Sequence, residues 1–196
     1  MTPIEDPQAL LRTLLLPSGK PLSQGNSQDH IRAALQRADA MAREEGLVVL
    51  SLGLQDAAEA REFVGVLAAI AQQAVRFGRA TAPTLILSAG PVQVGGKLAG
   101  AAALALALAL ALDAHPAIHA CAVGAADTAA TDTSPNFGEF ISIAPDTVAQ
   151  AIRLGLAAGT MLVQHRAREL FERLGRCDSF APWDGGASVL RGVLLT

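Results

Sequence analysis

The chain has 196 residues, of which 51% are hydrophobic, 17% charged and 4% aromatic, with a mean hydropathy of +0.36. So much apolar side chain can offset the entropy of ordering a backbone, which excludes a disordered or low-complexity chain. Fifteen basic against eighteen acidic residues give a net charge of −3, and without a basic stripe nucleic acid is not an expected partner.

Met1 to Asp6 carries no basic n-region, and the apolar stretch Leu10 to Leu16 is interrupted by Arg12 and Thr13. No signal peptide is expected, and the localisation that follows is cytoplasmic. The spacing predicts a helix over 7–16. The Pro, Ser, Gly and Asn residues after it read as a connector, so residues 1–27 form an N-terminal arm and 28–196 the main domain. Ile31, Leu35, Ala38 and Met41 fall at helical spacing, with Gly46 as the stop, and Leu47 to Leu50 is a β run.

Asp56 is the expected N-cap of a long helix ending at Gly78. Thr84 to Leu87 reads as a buried strand leading into a loop that ends near Lys97. Leu98 to Leu112 carries no charged or polar side chain, and alternates Leu and Ala from Leu104 onward. A membrane span needs about 20 such residues, so this run is a helix buried on all sides and no membrane partner is expected. Ile118 to Val123 is the third strand, and Ile141 to Ile143 a short strand or turn. Helices are expected over 146–154 and 161–174, and a β stretch over 188–195. Continuous apolar strands separated by helices predict an α/β fold: a layered, mostly parallel sheet with helices on both faces, in a single domain.

The candidate chemistry lies in loops at strand ends, where open α/β sheets bind ligands. Gly90, Gly95, Gly96 and Lys97 fall between a strand and a helix. A phosphate loop would need Gly five residues before the Gly96-Lys97 pair; Pro91 is there, and Leu98 replaces the magnesium-binding hydroxyl. Gly124 opens a loop with Asp127, Asp132 and, further on, Glu139, oxygen ligands suited to a hard cation or a phosphate, or simply a solvated surface. His115 and His119 are separated by Pro116, against a shared helical face, and His30 and His165 read as solvated. Cys121 and Cys177 are too few for a disulfide framework or a thiolate metal site. No metal site is assigned. Trp183, ahead of Asp184, Gly185 and Gly186, reads as a loop anchor packing on the domain.

The order of these pieces resembles the C-terminal half of the glycerate 2-kinase family, also known as hydroxypyruvate reductase, with its Leu-rich MOFRL domain. The likeness runs from Gly25-Asn26 through Glu59-Ala60-Arg61, Leu85 to Gly90, the Leu/Ala helix, Gly124 to Gly138, and Asp178 onward to Leu190-Arg191. The polar motifs differ. The family's Gly-Gly-Glu stands here as Ala89-Gly90-Pro91, its Gly-Arg-Asn-Gln-Glu as roughly Ala99 to Ala103, and its Thr-Gly-Thr-Asn as Trp183 to Gly186. The resemblance therefore implies a MOFRL-like scaffold that has lost catalysis and acts by binding or association, as a homo-oligomer or with a partner chain supplying the family's N-terminal domain. A small acidic metabolite is the implied ligand. The alternative it implies is a phosphotransferase, or another enzyme of glycerate or hydroxypyruvate, using ATP and magnesium. Lys97, Asp127 and Asp132 would then be catalytic, and Gly90, Gly95, Gly96, Gly124, Asp184, Gly185 and Gly186 would bind substrate.

Overall fold

The computed structural model describes residues 4–16, 26–78, 82–112, 114–126, 137–180 and 183–196. Asp6 starts the first helix, α1 (Pro7–Leu15), by accepting hydrogen bonds from the N–H groups of Gln8 and Ala9. Asn26 caps α2 (Ser27–Glu44) in the same way, and Gly46 at φ +79° follows its end. The chain continues as β1 (Val48–Leu54), β2 (Ala58–Glu59), α3 (Ala60–Arg76), β3 (Thr84–Val94), β4 (Lys97–Ala99), α4 (Ala101–Ala111), β5 (Ile118–Ala125) and β6 (Gly138–Ile143). Three short helices follow, α5 (Thr147–Arg153), α6 (Ala158–Val163) and α7 (Ala167–Arg173), then β7 (Cys177–Phe180) and β8 (Ser188–Leu195).

The strands lie in the order β1-β3-β8-β5-β6-β7, with β2 and β4 paired to the distal half of β3. The α/β layering is as expected, with helices on both faces, but the sheet is mixed. β1 and β2 pair with β3 in parallel, and every other pairing is antiparallel. The three helix-separated strands β1, β3 and β5 do share a direction. The last strand, β8, inserts antiparallel between β3 and β5. Its position follows from burial: Val189 to Leu195 are all buried, which suits a central strand.

Side chains alternate across that sheet. On one face Leu85, Leu87, Cys121, Leu190 and Leu194 pack with Leu11, Leu14 and Leu15 of α1 and with Ile31 and Leu35 of α2. On the other, Ile86, Ala122, Val189 and Val193 pack with α3, α4 and the three short helices. Helix α4 is the centre of this second layer, with Ala101 to Ala109 all buried, Leu110 emerging at 39% exposure in its last turn and Ala111 part-buried. Its period-two sequence has a geometric consequence on a helix turning 100° per residue. Leu104, Leu108 and Leu112 form one ridge, Leu106 and Leu110 an opposite one, and the alanines leave two shallow grooves between them. Such a helix presents shape for packing on every side and no polar side.

Three local expectations are corrected. Helix α3 starts at Ala60 rather than after Asp56, because Ala58 and Glu59 pair with Val92 and Gln93. Residues 88–97 are not a strand-to-helix loop: β3 runs on to Val94 and turns back as a hairpin into β4. The expected helix 161–174 is two helices. His165, at φ +55°, sits where the chain leaves α6, with Arg166 N–H bonding Met161 O and His165 N–H bonding Leu162 O. Strand β7 is an addition to the expected elements, a half-exposed segment on the sheet edge. The proposed connector falls mainly at 17–25, outside the described residues.

His119 faces α1 from β5, with an enclosed Nδ1 that has no hydrogen-bond partner. Burial lowers its pKa, and Asp6 opposes this more weakly. The fold thus favours neutral imidazole. Its contribution is intact above the ordinary histidine value of about 6.5 and is lost as the pH falls below it. Urea unfolding at pH 8 and pH 5 should show a smaller loss of stability in acid for His119→Leu than for the unaltered protein.

Candidate functional site

Level with the point on β3 where the parallel β1 terminates, Gly90, Val189, Gly124 and Glu139 form one register row across β3, β8, β5 and β6. The row places Gly90 and Gly124 at the same level of the sheet, on either side of Val189. Gly185 and Gly186 lie directly before β8, where Ser188 N–H bonds Gly185 O. Asp127 and Asp132 lie outside the described residues.

The glycines serve the fold itself. Gly95 and Gly96, both at positive φ (+61° and +74°), make the two-residue turn of the β3–β4 hairpin. Their N–H groups, which could have cradled an anion, donate to the Glu59 carboxylate at 2.9 and 3.3 Å. The turn is thereby tied to the start of α3. Lys97 stands exposed on β4, in none of the ion pairs among the described residues. An open cavity of about 320 Å³ lies beside this turn, bounded by Glu59, Arg61, Val94 and Gly95 on one side and Leu162 and His165 on the other.

The second glycine pair wraps the tryptophan. Trp183 is 6% exposed, packs edge-on against Phe180, and donates from Nε1 to Gly186 O at 3.0 Å. A Cβ at Gly185 would collide with the indole, and one at Gly186 would crowd Ser27 at the start of α2. Trp183 is thus the packing anchor that its sequence position suggests. The Asp184 carbonyl contacts His30 Nδ1 at 3.3 Å, so His30 is part-buried rather than solvated.

No group of three or more His, Cys, Asp or Glu residues able to hold a metal ion occurs among the described residues. His115 Nδ1 accepts from the Ala117 N–H, which accounts for it structurally. Burial raises the thiol pKa of Cys121, and pushes that of Cys177 up to about 12. Neither is a ready nucleophile.

Two charged residues near this row were not singled out by residue type and spacing as buried groups. Glu139, fully buried in β6, meets Arg168 of α7 at 2.9 Å. Arg191 is the larger surprise, a guanidinium only 1% exposed in the middle of β8. Its Nε donates to Ser88 Oγ at 2.8 Å, its Nη1 to Gly90 O at 3.4 Å, and its Cζ lies 4.0 Å from the centre of the Phe63 ring. Burial alone lowers its pKa to about 10. Displacement from the ordinary 12.5 corresponds to roughly 3 kcal/mol against the charged form. A lone Arg in an otherwise apolar central-strand run was the available signal.

No model of a known protein family matches the chain, and no curated protein matches it in sequence. Two solved structures resemble it. A glycerate kinase from Thermotoga maritima is 21% identical, with a TM-score of 0.68 over 88% of this chain and 41% of that one. The PH0495 protein from Pyrococcus horikoshii OT3 is 17% identical, with a TM-score of 0.63 over 83% of this chain and 38% of that one. The chain therefore has a glycerate-kinase-like α/β fold and spans about two fifths of either relative's length.

Proposed function

We propose that this chain is a glycerate-kinase-related, MOFRL-like domain that has lost phosphoryl transfer and works by binding or association. The observation that carries the reading is the internal use of the candidate groups: Glu59 fills the Gly95-Gly96 turn, and Trp183 fills the Gly185-Gly186 loop. Phosphoryl transfer depends on cations and N–H donors aimed at the transferred group, and donors already satisfied by the protein do not contribute. The association half is supported by β1, a sheet-edge strand with Val48, Leu50 and Leu54 exposed and no charged side chain. A homo-oligomer or a partner chain covering that edge fits this chemistry.

Incubation of the purified chain with ATP, magnesium and glycerate should give no phosphoglycerate above a protein-free control. Magnesium-dependent turnover that falls in Lys97→Met or Asp184→Asn would overturn the reading in favour of a phosphotransferase.

A further inference from the structure

Arg191 is a buried cation with no counter-charge in contact with it among the described residues. None of the ion pairs among the described residues includes it, whereas the buried carboxylate of Glu139 is matched by Arg168. Its contacts are a hydroxyl, a carbonyl at long range and an aromatic face. Each is neutral, and together they occupy two of its five N–H donors. Nη2 has no hydrogen bond among the described residues and is not one of the fully enclosed unpaired atoms. Isolated buried charge is strongly disfavoured unless something pairs with it. A guanidinium whose Nε is steered by the Ser88 hydroxyl and whose carbon lies over the Phe63 ring still has Nη2 to offer to an oxyanion.

We propose that Arg191, positioned by Ser88 and Phe63, is the binding group for a small oxyanion, a carboxylate or a phosphate, beside Gly90. The site deepens the binding reading above and rests on it for its biological meaning, but not for its chemistry. The Phe63 ring over the guanidinium and the near-complete burial limit the ligand to a small acid rather than a nucleotide.

Calorimetric titration and thermal unfolding with inorganic phosphate and, separately, with glycerate, at ionic strength matched by sodium chloride, test the proposal. A saturable response to at least one of them is expected, and the arm that saturates identifies phosphate or carboxylate as the partner. Arg191→Met should keep the fold, since a long apolar chain replaces an unpaired charge, and should weaken that binding at least tenfold. Should Arg191→Met fail to fold, Ser88→Ala retains the charge and removes its orienting bond; at least threefold weaker binding is expected. Absence of a saturable response to both anions, or unchanged affinity in the variant that folds, overturns the site. Turnover of glycerate together with Arg191-dependent binding would instead sink the non-catalytic reading and leave the site standing.

Discussion

Leu108→Ala is expected to cost about 3 kcal/mol of unfolding free energy and to lower Tm by about 10 °C. Leu108 is fully buried on the central helix, and its flanking positions are alanines, which have no length with which to fill the space left behind. The control lies one ridge away. Leu110 emerges at 39% exposure, and truncating it should cost about 1 kcal/mol, because water already reaches the site. Thermal or urea unfolding of the two variants measures the difference. Equal losses would mean that α4 is not enclosed as described.

Gly90→Ala should be comparably severe, about 3 kcal/mol or more. Gly90 sits at φ +151°, a conformation costly for any residue with a Cβ, and the added carbon would enter the backbone carbonyl of Gln55. There the end of β1 closes on β3, with Gln55 N–H bonding Ala89 O at 2.7 Å. The obstacle is rigid backbone rather than a side chain that can turn away. Gly175→Ala is the comparison: its φ is +65°, but nothing lies near the added carbon. About 1 kcal/mol is expected for it. A urea midpoint that falls equally in both would remove the close approach at Gly90 as the cause.

These two positions also show which features the sequence makes legible. The enclosed helix α4 is evident from composition, since a run with no polar side chain has no side to turn to water. The apolar runs of β1, β3, β5 and β8 are equally plain. Their directions are not: β8 runs antiparallel between β3 and β5 because of where the chain returns to the sheet, and no local pattern encodes that. The β3–β4 hairpin was within reach, because Gly95-Gly96 between Val94 and Lys97 is a strong two-residue turn signal. The apolar run from Leu98 masks it, because Leu98 and Ala99 belong to β4 and the helix begins only at Ala101. The break at His165 had no such signal, since a histidine in a left-handed helix end is set by tertiary packing.

For the site, what the sequence makes legible is that Gly90 and Gly124 stand near the ends of apolar runs; in the sheet they share one register row, on either side of Val189. The roles of the glycines were not, because a glycine that admits a ligand and one that admits Glu59 or Trp183 look alike in sequence. For Arg191 the sequence offers one cation in an apolar strand as a signal of burial, but not its partners, because Ser88, Gly90 and Phe63 come to it from distant parts of the chain.

The central claim is that the candidate glycine loops are filled by the protein's own side chains: the Glu59 carboxylate accepts from the Gly95 and Gly96 N–H groups, and the Trp183 indole occupies the other loop and donates to the Gly186 carbonyl. Amide proton–nitrogen spectra recorded while ATP with magnesium, and then glycerate, are added to the intact chain test this most directly. The account predicts that the Gly95, Gly96, Gly185 and Gly186 signals stay in place at millimolar ligand. Saturable shifts of the Gly95 and Gly96 amides, with loss of their bonds to Glu59, would contradict it.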